Sequence, residues 1–190
     1  MDKGAPRRAF DEIFKQPLDV YALNRMPPRM SEYAKTIHEI GERVELVTQS
    51  EQRGLGDAVL CAKEHLEASP FLLMLGDHLY TSTHKDGNSC VKQLLSAYQG
   101  TSVLALRSTA EAEISHFGCA TGRWEGRTSE GPGSLCITNI VEKPTIDFAR
   151  CNLVTPSIKQ GEFLTVFGLY ILSEPEKIFS ILQDQLELRK

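Results

Sequence analysis

One run of residues constrains the fold more than any other. Phe71-Leu72-Leu73-Met74-Leu75 is unbroken and apolar, opened by Pro70 and stopped by Gly76-Asp77. Such a run leaves no polar face for water, so it reads as a strand covered on both sides, as in a parallel sheet between helices. On both flanks the periodicity turns helical. Asp57 to Ala68 puts Val59, Ala62 and Leu66 on one face, and Val91, Leu94, Leu95 and Tyr98 keep helical spacing up to Gly100. Ser102 to Leu106, Ile137 to Val141 and Phe163 to Leu172 read as further strands, and Val44 to Thr48 has the alternation and β-branching of a short one. Strands alternating with helices predict an α/β domain with a mixed, mostly parallel sheet flanked by helices.

The remaining segments are assigned by local signals. Tyr33, Ile37 and Ile40 give Ser31 to Ile40 a helical stripe, while Met1 to Arg29, with Arg7-Arg8 and Pro27-Pro28, reads as irregular apart from a short helix near Phe10 to Phe14. Glu111 to Gly133, with several glycines and charges and one tryptophan, reads as a hairpin or insertion. Ser173-Glu174-Pro175-Glu176 has the spacing of a capping box ahead of the apolar stripe Ile178, Ile181, Leu182 and Leu186. No repeat or linker divides residues 1–190, so a single domain is expected, irregular over residues 1–30.

Composition narrows the function classes. At 41% apolar and 24% charged residues, the chain can bury enough surface to offset the entropy of ordering itself. A net charge of −4 argues against a nucleic-acid backbone as partner, but not against a nucleotide, whose few phosphates need one or two local cations or a metal. Cys61, Cys90, Cys119, Cys136 and Cys151 are scattered and odd in number, the pattern of reduced thiols. With no apolar stretch of membrane-spanning length and a polar start from Met1 to Phe10, no membrane partner is expected and the cytoplasm is the expected location.

Several residues could carry chemistry, each with an ordinary structural alternative. In open α/β sheets ligands collect beyond the carboxyl ends of strands, and Asp77 stands there. It could hold Mg2+, which prefers oxygen and keeps substrate phosphates as further ligands, or it could serve as a turn or capping aspartate. Gly54-Leu55-Gly56, between a strand and a helix, allows close approach of a base or phosphate to backbone N–H groups, or is an ordinary turn. Glu142-Lys143-Pro144 offers a carboxylate for sugar hydroxyls and an ammonium for phosphate, or is a charged strand end. The histidines show no metal-ligand spacing, and His78, next to Asp77, is a surface histidine or a phosphate contact.

Taken together these pieces match a known pattern. Gln49-x4-Gly54-Leu55-Gly56-x-Ala58, Leu75-Gly76-Asp77, Phe117-Gly118 and Val141-Glu142-Lys143-Pro144, in this order, resemble the sugar-1-phosphate nucleotidyltransferase family. The resemblance covers roughly residues 40 to 182 and is nearest to bacterial-type UTP–glucose-1-phosphate uridylyltransferases, through Gly54 to Ala62 and Val166 to Leu172. It implies a Rossmann-like fold of the nucleotide-diphospho-sugar transferase type. It also implies a reaction, attack of a sugar-1-phosphate oxygen on the α-phosphorus of UTP, forming UDP-glucose and pyrophosphate. By the same resemblance Gln49 and Gly54 would read the uracil or thymine edge, and Asp77 would ligate Mg2+. Gly118 would lie against the sugar, Glu142 would bind its hydroxyls and Lys143 its phosphate, with Asp77 and Lys143 as the catalytic pair.

The departures set the alternatives. The family's opening strand, its glycine-rich G-x-G-T-R loop with P-x-T-K, and a second metal-binding aspartate after Phe167–Leu172 have no evident counterpart here. The chain therefore reads as a family member truncated at both ends, whose sheet edge another segment, a partner subunit or a second copy would have to cover. The alternatives to a uridylyltransferase are a non-catalytic sugar-nucleotide-binding or regulatory module and an inactive truncated member. Thymidylyl and adenylyl relatives share much of the pattern, and Gly76-Asp77 is closer to thymidylyl usage.

Overall fold

The computed structural model describes residues 5–16, 19–66, 68–83, 85–128 and 131–188, which fall into two compact units, Met1–Ala62 and Lys63–Lys190.

The first unit is helical. It contains α1 (Ala5–Phe10), a π-helical turn (Asp11–Lys15), α2 (Val20–Arg25), α3 (Pro28–Gly41) and α4 (Leu55–Cys61). The opening residues, expected to be irregular, are therefore helical over most of their described length. Pro28 does not break the chain, because it occupies the first turn of α3, where a missing N–H leaves no bond unmade. Phe14 organises the unit: its ring stacks on Phe10 at 4.5 Å, and its carbonyl lies 3.2 Å from His38 Nδ1. Gly41 approaches so closely that a Cβ there would stand 2.3 Å from the Phe14 carbonyl oxygen.

Two expectations fail in this region. Residues 44–48 do not form a strand, since alternation specifies facing but supplies no neighbouring edge to bond with. The helix expected over Asp57 to Ala68 stops at Cys61, where the chain passes from the first unit to the second, and only a 3-10 turn at Lys63–His65 continues it.

The second unit holds the sheet: β1 (Phe71–Met74), β2 (Val103–Ala110), β3 (Gly118–Thr128), β4 (Gly131–Glu142) and β5 (Glu162–Leu172). Its helices are α5 (Cys90–Ala97), α6 (Ile146–Asn152) and α7 (Pro175–Glu187), with a 3-10 segment at Glu111–His116. Ser89 and Thr145 cap α5 and α6, each side-chain oxygen accepting from the backbone N–H three residues on. The capping box expected at Ser173 does not form. Its hydroxyl is 3.0 Å from the Ser102 hydroxyl, and α7 starts without a side-chain cap.

The α/β class is as expected, but the strand directions differ from a mostly parallel sheet. β5 pairs antiparallel with β1, β2 and β3, and β3 pairs antiparallel with β4. β1 and β2 both run against β5, so they share a direction while never touching as neighbours. Apolar runs report burial and carry no information on direction, which explains the difference. Nor is β1 covered on both sides, since Leu72 is 38% and Met74 45% exposed. The segment read as a hairpin or insertion is the 3-10 turn followed by the long β3–β4 hairpin. Gly122 lies at a register shift in that hairpin, where a Cβ would sit 2.0 Å from the Cys136 carbonyl oxygen.

One face of β5 carries two apolar clusters. Ile114, Cys119 and Phe163 pack with Ala149 of α6 and Leu153 at its end, and Leu169 and Ile171 pack with Leu94 of α5. Between them the buried hydroxyls of Thr109 and Thr165 share a hydrogen bond at 2.6 Å. Among the described residues no helix is long and apolar enough to cross a membrane.

Candidate functional site

The residues singled out from the sequence fall into three local groups, one in the first unit and two in the second. In the first unit, Gly54 turns the chain into α4 with φ 97°, a left-handed conformation that glycine adopts without a Cβ penalty. Gln49 lies beside it, donating from Nε2 to the Gly54 carbonyl at 3.1 Å and to Asp57 Oδ2 at 2.7 Å. Arg53 Nη2 reaches Asp57 Oδ1 at 2.7 Å. The Gln49 bond and then the Arg53 bond hold the Asp57 carboxyl below the ordinary aspartate range, although its burial pushes the other way. Asp57 and Arg53 were not singled out from the sequence. Their four-residue separation is the spacing of a helical ion pair and was the available signal.

In the second unit, Gly76-Asp77 forms a turn beyond the end of β1, as the apolar run indicates. The Asp77 side chain is 82% exposed, with Oδ1 2.8 Å from His78 Nδ1. The chain is pinned on both sides of this turn. Leu75 N–H donates to the Gly168 carbonyl at 3.0 Å, and the Tyr80 hydroxyl donates to the same carbonyl at 2.6 Å. No cluster of three or more metal-ligating side chains occurs among the described residues. A single exposed carboxylate still suits Mg2+, which is held by one or two carboxylates plus the phosphates of its substrate.

The third group lies where the β3–β4 hairpin begins and ends. Gly118 opens β3 directly opposite Glu142 at the end of β4. A Cβ at Gly118 would stand 3.0 Å from Glu142 Oε2 and 3.4 Å from Val166 Cγ2, so this position faces both side chains at close range. Lys143 follows with φ 47°, left-handed for a residue that carries a Cβ, and its N–H donates to the Phe117 carbonyl at 3.1 Å. That conformation costs on the order of 1 kcal/mol and places Nζ 3.8 Å from Glu142 Oε1. Both side chains are largely exposed, a carboxylate acceptor beside an ammonium donor.

Aromatic contacts connect the two ends of this unit. His78 and Tyr80 meet Phe167 edge-on, with Tyr80 at 5.3 Å, and the Arg107 guanidinium lies 5.9 Å from the Phe167 ring and 4.7 Å over Phe117. Val166, Tyr80 and Arg107 were not predicted from the sequence, because which strands flank β5 decides their place. An open cleft of about 1110 Å3 runs along β2 from Thr101 to Arg107 and includes none of Asp77, Gly118, Glu142 or Lys143. The two candidate groups of this unit sit at exposed strand ends, outside that cleft.

A model of the nucleotidyl transferase family matches residues 13–187. The chain belongs to the nucleotidyl transferase family. Among its relatives, a UTP–glucose-1-phosphate uridylyltransferase of Streptococcus pneumoniae is 34% identical over 145 residues, which cover 75% of this chain and 43% of the relative. The apo crystal structure of a UDP-glucose pyrophosphorylase superposes with a TM-score of 0.71 at 28% identity, covering 94% of this chain and 59% of the other. A UDP-glucose pyrophosphorylase complexed with UDP-glucose gives 0.65 at 27% identity, covering 93% and 58%. This nucleotidyl transferase chain thus spans about half the length of the proteins it matches. Its Rossmann-like α/β fold is theirs.

Proposed function

We propose that these residues form the base, metal and sugar-phosphate contacts of a UTP–glucose-1-phosphate uridylyltransferase. The observation that carries this reading is the approach of Gly118 to Glu142 beside Lys143. A position bare of side chain lets a sugar ring lie against the backbone. Glu142 accepts hydrogen bonds from its hydroxyls, and Lys143 neutralises the phosphate joined to it. In the first unit Gln49 and Gly54 meet the edge of uracil. Relatives named for UTP and glucose 1-phosphate, and a neighbouring structure that holds UDP-glucose, support the choice of substrates.

In the reaction an oxygen of the sugar 1-phosphate forms a bond to the α-phosphorus of UTP, and the bond from that phosphorus to the bridging oxygen of the β-phosphate breaks. The electron pair leaves with pyrophosphate. The contribution of this chain is positioning and charge neutralisation, with Lys143 holding the attacking phosphate and Glu142 fixing the sugar. Asp77 would hold Mg2+, which supplies charge neutralisation for the phosphates when bound.

The free thiols Cys61, Cys90, Cys119, Cys136 and Cys151 suit a reducing, cytoplasmic location. As part of the same proposal, a second subunit or a further segment covers the outer edge of β1, which pairs only with β5 among the described residues.

Calorimetric titration of the purified chain with UDP-glucose, with and without Mg2+, tests the reading, with UTP and dTDP-glucose as comparisons. Saturable, Mg2+-dependent binding with a preference for UDP-glucose is expected. Asp77→Asn should weaken the metal-dependent part and Lys143→Ala the sugar-phosphate part. Titration curves that neither variant changes would remove both assignments.

A further inference from the structure

The Gln49 amide is more constrained than a base contact requires. Its Nε2 has two hydrogens and faces two acceptors, Asp57 Oδ2 at 2.7 Å and the Gly54 carbonyl at 3.1 Å. A flipped amide would aim Oε1 at both of these oxygens, so the surroundings decide which end is nitrogen. Asp57 is only 4% exposed and its other oxygen is taken by Arg53 at 2.7 Å. As a carboxylate it accepts and never donates, and therefore cannot tolerate the reversed amide. Both Nε2 hydrogens are spent, while Oε1 has no hydrogen-bond donor among the described residues. The free end of Gln49 is an acceptor.

We infer that Asp57, clamped by Arg53, is a positioning residue that fixes the sense of the Gln49 amide and restricts the nucleotide site to bases presenting an N–H donor at pyrimidine position 3. This rests on the reading that Gln49 meets the base edge, and it adds what that edge must be. Uracil and thymine carry N3–H and satisfy Oε1. Cytosine carries a bare N3, which sets lone pair against lone pair and leaves two acceptors without donors. A mismatch of this kind lowers affinity roughly ten- to a hundredfold. The depressed Asp57 pKa is consistent with a carboxylate that stays ionised in this role.

The test is the ratio of CTP to UTP dissociation constants, measured by calorimetry on the full chain in wild type, Gln49→Ala and Asp57→Asn. In Asp57→Asn, Arg53 retains the amide oxygen and the new NH2 group turns toward Gln49, leaving only the Gly54 carbonyl to oppose the reversed glutamine. The preference for UTP should fall about tenfold, with CTP binding improved. A purely structural role for Asp57 would weaken both nucleotides alike and leave the ratio unchanged. If wild type prefers UTP, Gln49→Ala abolishes the preference and Asp57→Asn keeps it, this inference is overturned while Gln49 remains the base reader. If Gln49→Ala leaves the ratio unchanged, the base-reading role fails and the inference fails with it. Nuclear magnetic resonance of the wild-type Gln49 side-chain amide provides a check independent of variant folding. Slow solvent exchange of both amide protons in the free protein is expected, and exchange as fast as that of a solvent-exposed glutamine would overturn the clamp.

Discussion

The Tyr80 hydroxyl donates to the Gly168 carbonyl at 2.6 Å, and the Leu75 N–H donates to the same oxygen at 3.0 Å. The turn containing Asp77 is therefore held to β5 on both sides. Tyr80→Phe removes one support and leaves the ring contacts in place, so it should destabilise the second unit by about 1 kcal/mol. Urea unfolding measures this, and the Mg2+-dependent part of nucleotide binding should weaken with it. Unchanged stability would show that the hydroxyl has no part in anchoring the turn.

Gly118 should not tolerate a methyl group without functional loss. The added carbon meets Glu142 Oε2 at 3.0 Å, and that flexible carboxylate can swing away, so Gly118→Ala should fold normally. With Glu142 displaced and the surface no longer bare, glucose 1-phosphate should bind about tenfold more weakly while UTP is unaffected. Parallel titrations separate the two effects, and equal losses for both ligands would point to a global distortion.

Lys143 pairs a strained backbone with an exposed ammonium. Lys143→Gly relieves the left-handed strain at the expense of a more flexible unfolded chain, so stability should hold or rise by up to about 1 kcal/mol. Binding of the sugar phosphate should nevertheless fall. Thermal unfolding and titration moving in opposite directions would mark strain retained for a contact. A variant that loses stability would show that the lysine side chain supports the fold.

Arg150 grips Glu111 with two bonds, Nε to Oε2 at 3.1 Å and Nη2 to Oε1 at 2.9 Å, tying α6 to the 3-10 segment ahead of β3. The Arg150 bond is the main reason the Glu111 carboxyl titrates below its ordinary value. A depressed folded-state pKa means that the unfolded chain takes up its proton first. The contribution is complete above about pH 4 and is lost as pH falls through the lowered value. The melting temperature of wild type should approach that of Glu111→Gln below about pH 4. A gap that stays constant under acid would exclude this pair as a source of stability.

The strands were legible in the sequence wherever apolar residues ran nearly without a break. Phe71 to Leu75 and Phe163 to Leu172 correspond to β1 and β5, and Glu142-Lys143 stands at a strand end as read. Direction was not legible, because an apolar run is the same whichever way its neighbours point. Residues 44–48 show the reverse error: their pattern was strand-like, but a strand also requires an adjacent edge. Gln49, Asp77, Gly118 and Lys143 were singled out through motifs. Val166 and Tyr80 depend on contacts made across the sheet, and no local pattern marks them. Asp57 could have been found, since Arg53 precedes it by one helical turn, but an aspartate in a first turn usually reads as surface.

β5 fixes more than the sheet. Gly168 bonds to the residue before the Asp77 turn, while Val166 stands against Gly118. These anchor points are two residues apart on one strand, where its pairing with β2 is irregular and Gly168 takes φ 69°. The gauge between the proposed metal end and the proposed sugar end is therefore cut into a single piece of backbone. Inserting or deleting one residue between Val166 and Gly168 would reset that gauge while leaving every ligand-contacting side chain intact.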